Sequence, residues 1–358
     1  MREQIHVVGI GGGNGLSGLL SGLRELGERE QRRCSLRVTA IVSVADDGGS
    51  TGRLRRTLGI PAVGDLRRCL AALAGGEPLW PEIFQHRFCC GDGLGGHALG
   101  NLVLAAMIER CGGLQAAMDQ LAKPLQIRGR VLAVTEQPVS LIAERSGGEV
   151  VSGESRIPHA GERIDRLWLS PPTPAPTAGV LEAIADADAL VLGPGSVFTS
   201  ILPNLLVAGV AHAIRRAGGL RILACNLMTQ PGETDGFAAA EHVEVLLRHL
   251  GPRSLDVCLA DDSPIVVGEP SDAPAAGSEA VRWDPDRVSA AGVVPVVARL
   301  RADGGRADRH DPLRLAAAVL ALVRARRDTS ERAAPAPRRL AAELGRAAAA
   351  AILSGGTP

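Results

Sequence analysis

The stretch VVGIGGGNGLSGLL, Val7–Leu20, places an apolar run directly before three consecutive glycines and a second apolar segment. This order is typical of a buried strand that turns sharply into a helix, whose N-terminus then faces the turn. A G-x-G-x-x-G pattern fits only if two of the glycines are ignored, and single matches of that kind are weak evidence for a dinucleotide site. A Walker A loop is excluded, because no Gly-Lys-Ser/Thr follows and the chain's only lysine is Lys123.

The composition limits the classes of partner. The 358 residues are 46% hydrophobic and carry 39 basic and 39 acidic side chains, so the formal net charge is zero. A neutral chain is not expected to bind nucleic acid or a membrane surface through bulk electrostatics. No uncharged apolar stretch of about 20 residues free of Pro and Asn occurs, so membrane insertion is not expected. The sequence predicts a globular protein in which any anion binding is local.

The seven cysteines favour a reducing compartment, because their number is odd and no C-x-x-C pair occurs. We therefore predict a cytoplasmic protein. Cys89, Cys90 and His97 could be metal ligands, but a zinc site needs further ligands at recognisable spacing. Positions in the apolar core are favoured for the two cysteines.

Short apolar runs such as Ala189–Leu192, which are expected to be strands, alternate with alanine- and leucine-rich stretches such as Leu202–Ala217, which are expected to be helical. The alternation predicts a Rossmann-like three-layer α/β/α fold with a mostly parallel sheet. We assign residues 1–328 to a single α/β domain. Within it, residues 130–170 carry extended pieces punctuated by Gly-Gly and Pro, which predicts a β-rich insertion of hairpins. Residues 329–358, rich in Arg, Ala and Pro, are expected to be an appended tail, partly disordered.

Four polar, glycine-bearing loops follow predicted strands: loop 1 (Gly11–Gly15), loop 2 (Ala45–Arg53), loop 3 (Gly193–Ser196) and loop 4 (Asn226–Thr234). Because ligands bind outside the carboxyl ends of parallel strands, these loops predict one extended crevice. The candidate binding residues in the loops are Gly12, Gly13, Asn14, Gly15, Asp46, Asp47, Gly48, Gly49, Ser50, Arg53, Gly193, Gly195, Ser196, Asn226, Thr229 and Gln230.

Loops 1 and 3 suit phosphate, since glycines allow close backbone approach and a following helix offers free N–H groups. In loop 2, Asp46 could hold a ribose hydroxyl and Asp47 a divalent cation, although a solvated turn is the alternative. Arg53 and Arg56 share a helix face and could bind a phosphate, or Arg56 could lie on a solvated face.

Five further residues are candidates, each with a structural alternative. Asp65 could cap the N-terminus of the next helix, or belong to the crevice. His97 and Asn101 lie one helical turn apart after a glycine-rich segment, and could form a site or be satisfied core residues. Trp283 could stack on a base or pack within the fold. Arg309 could contact a phosphate or cap the last helix.

The motifs taken in order resemble the CofD-like superfamily and, within it, the YvcK-like branch of gluconeogenesis factors. The resemblance lies in IGGGNGLSGLL, TAIVSVADDGGSTGRLR, GDLRRCLAAL, FQHRF, GGHALGNLVLAAM, LVLGPGSVFTSILPNLLV, CNLMTQPGETDGF and RHDPLRLAAAVL, which span about Ile5 to Leu322. This chain departs from the family pattern at Asn14, usually Thr, at Phe198, usually Tyr, and at Arg68, where Asn is commoner. Trp283 stands where a Tyr is expected.

The resemblance implies a Rossmann-like fold that binds a UDP-sugar such as UDP-N-acetylglucosamine. It also implies a regulatory role in carbon flux, cell-wall precursor supply and cell shape. The alternative, taken from the enzymatic CofD branch, is a metal-dependent transfer of a phospholactyl group to a deazaflavin. We assign no catalytic residue and no certain cofactor; Mg²⁺, if present, would use Asp46 and Asp47. The expected partners are a nucleotide-sugar, a second copy of the chain and an unidentified regulatory protein.

Overall fold

The computed structural model of the chain describes residues 3–331 except 160–162, 262, 264–273, 275, 303–305 and 307, together with residues 346, 347 and 350. The strands in this part are, in chain order, β1 (Glu3–Gly11), β2 (Cys34–Val42), β3 (Arg130–Ala133), β4 (Ser140–Arg145), β5 (Val150–Ser152), β6 (Ile164–Ser170), β7 (Ala189–Leu192), β8 (Leu220–Ala224), β9 (Val257–Ala260) and β10 (Val294–Val297).

The helices of the same part are α1 (Gly13–Arg29), α2 (Gly49–Leu58), α3 (Gly64–Leu73), α4 (Leu79–Gln85), α5 (Leu99–Cys111), α6 (Leu114–Ala122), α7 (Val180–Ala185), α8 (Leu202–Leu205), α9 (Val210–Arg216), α10 (Ala239–Leu250), α11 (Pro285–Ala290) and α12 (Pro312–Glu331). A 3₁₀ helix covers Glu154–His159, and a π-helical turn covers Val197–Ile201.

A seven-stranded sheet in the order β10-β9-β8-β7-β1-β2-β3 forms the centre, and its neighbouring strands are all parallel. Strands β7 and β9 are buried along their whole length, which is expected when helices cover both faces of a parallel sheet. Helix α12 packs so closely on α1 that a side chain at Gly22 would reach the carbonyl of Pro312. The predicted Rossmann-like α/β fold is confirmed.

The strand order reverses between β1 and β7. On one side of β1 the chain continues to β2 and β3, and on the other side it returns through β7, β8, β9 and β10. In open α/β sheets this reversal leaves a crevice at the carboxyl ends of the two central strands. Loop 1 follows β1 and loop 3 follows β7, so the topology places these two loops at the crevice.

The second sheet, β5-β4-β6, is antiparallel and lies within the predicted insertion. The prediction differs from the structure at the start of this segment, because β3 pairs in parallel with β2 and belongs to the central sheet. The short run VLA of β3 is buried, which is typical of a parallel strand and hard to distinguish from a hairpin strand by sequence.

Two other predictions concern the second half of the chain. The segment predicted as one helix over Leu202–Ala217 is divided into α8 and α9, with Gly209 at a φ of 79° between them. Helix α12 continues to Glu331, and most of the predicted tail lies outside the described residues. In the part of the chain described, no single helix is long and apolar enough to cross a membrane. One pair of helical segments, Val197–Leu205 and Val210–Arg216, has the length and apolar composition of a membrane span only when the two are counted together, and they are bent by 84°.

Candidate functional site

A cleft of about 1100 Å³ lies at the β1–β7 crevice. Its walls come from loops 1, 3 and 4, from the exposed side of α1, from α3 and α4, and from the segment before α12. Seven of the predicted binding residues line it: Asn14, Gly15, Gly195, Asn226, Thr229, Gln230 and Arg309. The volume is slightly above the usual range of small-molecule sites, so the cleft has room for a ligand of nucleotide-sugar size.

Loops 1 and 3 touch at the base of the cleft. A Cβ at Gly15 would lie 2.3 Å from the carbonyl oxygen of Pro194, so only glycine allows this approach. The φ of Gly13 is 68°, a left-handed conformation that lets β1 turn directly into α1. The first N–H groups of a helix have no partner within the helix, and those of α1 begin at this turn. The arrangement gives the cleft a base that favours an anion.

Loop 4 is tied to loop 3 by side chains. The Asn226 amide oxygen accepts the N–H of Gly195 at 3.0 Å, and its amide nitrogen donates to Gln230 Oε1 at 3.1 Å. The Ser196 hydroxyl donates to the carboxylate of Glu233, a cleft residue that is 7% exposed. Loops 3 and 4 therefore form one hydrogen-bonded wall.

Asp65 does not cap its own helix, and that interpretation is wrong: α3 begins at Gly64 with Val63 as the N-cap residue. The Asp65 carboxylate instead accepts the N–H of Gly13 at 2.7 Å and an ion pair from Arg68. It therefore binds the N-terminal end of α1 from another helix. Arg68 lines the cleft, so this ion pair places a guanidinium group at the cleft wall.

The two aspartates of loop 2 are held by backbone N–H groups. Asp46 Oδ1 accepts from Gly48 at 2.8 Å, and Asp47 Oδ1 accepts from Ser155 in the insertion, also at 2.8 Å. Burial, and then the charge of Asp65, raise the pKa of Asp46.

The aspartate pair does not form a metal site by itself. Within the described residues, no group of three or more His, Cys, Asp or Glu side chains is arranged to hold a metal ion. Mg²⁺ commonly uses one or two carboxylates together with ligand phosphates. The Mg²⁺ assignment to Asp46 and Asp47 therefore stays a prediction that depends on a phosphate ligand.

A buried polar network connects loop 2 to the cleft. The Ser50 hydroxyl contacts His97 Nδ1 at 3.0 Å and accepts from the Asn101 amide at 3.0 Å. Arg67 Nε donates to the Asn101 amide oxygen at 2.9 Å, and its Nη1 donates to Gln85 Oε1 at 2.6 Å. Gln85 lines the cleft, so Asn101 is connected to the cleft wall through Arg67, and His97 through Ser50, Asn101 and Arg67.

The remaining predicted residues occupy other positions. Trp283 is not among the residues that line the cleft; it packs against the apolar core. Arg53 donates to the carbonyl of Gly95 at 2.8 Å, and Arg56 is exposed. Placing Cys89 and Cys90 in the core is wrong, since both are exposed.

Several cleft residues were not among the candidate binding residues predicted from the sequence. They are Arg68, Gln85, Glu82, Glu233, Arg306 and His310. Gln85 and Glu82 lie on the short helix α4, whose position beside loop 1 depends on packing between distant segments. Glu233 stands within the MTQPGET motif, and its acidic side chain in a glycine-bearing loop at the sheet edge was the one available signal.

Two carboxyl groups beside the cleft have strongly raised pKa values. Burial, followed by the charges of Asp46, Asp65 and Glu233, raises the pKa of Glu154 to about 8. Burial raises the pKa of Glu233 to about 7, against the opposing effects of Ser196 and Arg145. Both groups hold a proton at pH values where an exposed glutamate is ionised.

We expect the thermal stability to fall as the pH rises from about 7 to about 8.5. Since the pKa values of Glu154 and Glu233 in the folded chain exceed the ordinary value of 4.5, these two groups bind more protons in the folded than in the unfolded chain. Below about pH 7 the buried histidines His6, His242 and His310, whose pKa values burial lowers, act in the opposite direction, so the fall is expected only above that pH. Thermal unfolding of Glu154→Gln and Glu233→Gln should show a smaller fall, whereas Glu149→Gln, at an exposed position of the insertion, should keep it. An equal fall in all four proteins would contradict this assignment.

Comparison with known proteins agrees with this geometry. The family model of 2-phospho-L-lactate transferase CofD matches residues 7–301. The chain belongs to the CofD family. This CofD-family chain is also 46% identical to the gluconeogenesis factor of Halalkalibacterium halodurans over 73% of its own length and 78% of the relative. It is 45% identical to the gluconeogenesis factor of Bacillus subtilis over 74% of its own length and 81% of the relative.

The CofD-family fold is matched by solved structures as well. A crystal structure of a Bacillus halodurans protein superposes with a TM-score of 0.82 at 41% identity, covering 89% of this chain and all of that one. A second crystal structure, described as a member of the UPF0052 family, gives a TM-score of 0.82 at 40% identity. The resemblance read from the sequence motifs is confirmed at the level of the family and its gluconeogenesis-factor relatives.

Proposed function

We propose that this chain is a cytosolic regulatory protein that binds a UDP-sugar in the cleft. The observation that carries the proposal is the contact between loops 1 and 3 at the topological switch point, where the N-terminus of α1 meets the cleft base. Pyrophosphate groups bind at such positions because helix N–H groups point at the anion.

The chemistry of the walls supports a polar ligand with a diphosphate. Arg309 is exposed and lines the cleft, and Arg68 adds a second guanidinium at the wall. Guanidinium groups bind phosphate oxygens with paired hydrogen bonds. Asn226 and Gln230 in loop 4 offer amide groups of the type that bind ribose or sugar hydroxyls. The predicted base-stacking role of Trp283 does not enter the proposal, because that side chain packs against the core.

The regulatory part of the proposal follows the relatives, which are named gluconeogenesis factors. A UDP-sugar links carbon metabolism to cell-wall precursor supply, and hence to cell shape, so its level is a suitable signal for such a protein. Assembly with a second copy and with a regulatory partner belongs to the same proposal.

Isothermal titration calorimetry with UDP-N-acetylglucosamine tests the proposal. We expect saturable binding to the unmodified chain. Asn226→Ala should weaken binding at least about tenfold, because loops 3 and 4 lose two hydrogen bonds and the ligand loses an amide contact. Gln120→Ala, at an exposed position on α6 away from the cleft lining, should bind like the unmodified chain. A folded protein that gives no binding heat with UDP-sugars at about millimolar concentration would refute the proposal.

The family description is compatible with a second candidate function, a metal-dependent phospholactyl transfer to a deazaflavin. In that case Asp46 and Asp47 would bind Mg²⁺ together with the phosphates, and catalysis would rest on positioning and charge stabilisation. Incubation with a phospholactyl donor, a deazaflavin acceptor and Mg²⁺ separates the two functions. Product formation that Asp47→Asn abolishes would favour the transferase, and absence of product with intact UDP-sugar binding would favour the regulator.

A further inference from the structure

Arg67 is a buried cation with neutral direct partners in the network. It is 3% exposed and lies in α3, directly behind the cleft wall. Burial lowers the pKa of Arg67 to about 10, and the charges of Arg68 and Arg87 act in the same direction. The guanidinium therefore keeps its proton at neutral pH. A side chain at Gly100 would reach Cδ of Arg67 at 2.8 Å, so α5 leaves room for this group only because residue 100 is glycine.

The chemistry of arginine fixes the direction of every hydrogen bond around it. A guanidinium can only donate, so the atoms it contacts on Gln85 and Asn101 must be the amide oxygens. The amide nitrogen of Gln85 is then left to donate elsewhere. Gln85 is exposed and lines the cleft, so this donor is available to a ligand.

The hydrogen bond from Arg67 to Asn101 fixes which atoms donate and which accept in the rest of the network. With its oxygen held by Arg67, Asn101 donates through its nitrogen to the Ser50 hydroxyl at 3.0 Å. The backbone N–H of Ala98 also donates to that oxygen, at 3.4 Å, so both lone pairs are used. The Ser50 proton must then point to His97 Nδ1, at 3.0 Å. His97 is consequently neutral and carries its proton on Nε2.

We propose that Arg67 is a positioning residue of the cleft, which orients the Gln85 amide so that its NH₂ group selects a ligand with an oxygen acceptor beside α4. The inference rests on the proposed nucleotide-sugar function, because it assigns one contact of that ligand. The acceptor is a hydroxyl, carbonyl or phosphate oxygen. A donor-only group at the same place would face another donor and would be rejected.

Gln85→Glu is the decisive variant. The substitution keeps the shape of the side chain, turns the cleft-facing donor into an acceptor and gives Arg67 a carboxylate partner. We expect unchanged or higher thermal stability together with binding of UDP-N-acetylglucosamine at least about tenfold weaker. A residue with only a structural role would not separate stability from affinity in this way. Gln120→Glu adds the same charge on α6, outside the cleft lining, and should change neither quantity.

Arg67→Met tests the orienting role itself. Nitrogen NMR of histidine-labelled protein reports the tautomer of His97, which should be the Nε2–H form in the unmodified chain and a mixture in the variant. Circular dichroism confirms that the variant is folded; if it is not, Gln85→Glu carries the test alone.

The outcomes separate the two proposals. If the unmodified chain binds and Gln85→Glu binds equally well, the positioning role of Arg67 is overturned while the nucleotide-sugar function stands. If the unmodified chain does not bind but the His97 tautomer changes in folded Arg67→Met, the nucleotide-sugar function is overturned and the orienting role of Arg67 is supported. An Nδ1–H tautomer in the unmodified chain overturns the hydrogen-bond assignment.

Discussion

Gly15→Ala is expected to separate loops 1 and 3 and to abolish most ligand binding. The added Cβ would lie 2.3 Å from the carbonyl oxygen of Pro194 and 2.7 Å from its carbonyl carbon. Both are backbone atoms and cannot move away as a side chain could, so one loop has to shift. Inserting a methyl group into a packed site costs about 1–3 kcal/mol of unfolding free energy. We expect a loss of about 2 kcal/mol in urea unfolding, and a dissociation constant raised more than about tenfold in calorimetry.

Gly18→Ala is the matched control for this substitution. Gly18 lies one turn further along α1, and an added Cβ there meets no atom within 4 Å. Alanine in a helix interior is more stable than glycine by about 0.5–1 kcal/mol, so this variant should unfold at higher urea concentration. If the two variants changed stability in the same direction, close contact between loops 1 and 3 would not be the reason for glycine at position 15.

The sequence predicted the parts of the fold that depend on local patterns. Strand β7 was placed at Ala189–Leu192, as found, because a fully apolar run between loops leaves few alternatives. The prediction of one helix over Leu202–Ala217 is wrong in its middle. Alanine- and leucine-rich composition does not reveal that Gly209 has a left-handed backbone conformation. Composition also did not show that Arg130–Ala133 pairs with β2, because pairing partners are chosen by tertiary contacts.

In the candidate site, the positions of the loops follow from local sequence, whereas the side-chain contacts depend on segments that are distant in the chain. Loops 1, 3 and 4 could be brought together from sequence, because strand ends share one edge of a parallel sheet. Loop 2, which was predicted to lie in the same crevice, supplies none of the residues that line the cleft. Side-chain partners from other segments could not be predicted. Asp65 bonds to Gly13, 52 residues away, and Asp47 bonds to Ser155, 108 residues away. No periodicity or spacing encodes such pairs, so the N-cap interpretation of Asp65 and the stacking role of Trp283 followed from local rules alone.

Arg145→Met is expected to detach the antiparallel sheet from loop 4 and to cause the largest loss of stability. Arg145 extends from β4 and is 1% exposed. Its guanidinium donates to the carbonyl of Gly232 in loop 4 at 3.0 Å and to the carbonyl of Ile157 in the 3₁₀ helix. The same charge opposes the rise in the pKa of Glu233. Methionine fills a similar volume but leaves the buried carbonyl of Ile157 and the half-buried carbonyl of Gly232 without this donor.

Hydrogen bonds that involve a charged group contribute about 1.5–3 kcal/mol each, so we expect a loss of about 3 kcal/mol in urea unfolding at neutral pH. Arg166→Met is the control, because Arg166 lies in β6 of the same sheet with its side chain 76% exposed and pairs with Glu144 at 3.4 Å. Such a surface pair contributes at most about 1 kcal/mol. Hydrogen exchange locates the effect: amides of loop 4 and of the 3₁₀ helix should lose protection in Arg145→Met, while β1 and β7 keep theirs. Equal unfolding midpoints for the two variants would mean that the antiparallel sheet and loop 4 are held together by apolar packing, and the cleft wall formed by loop 4 would then be independent of Arg145.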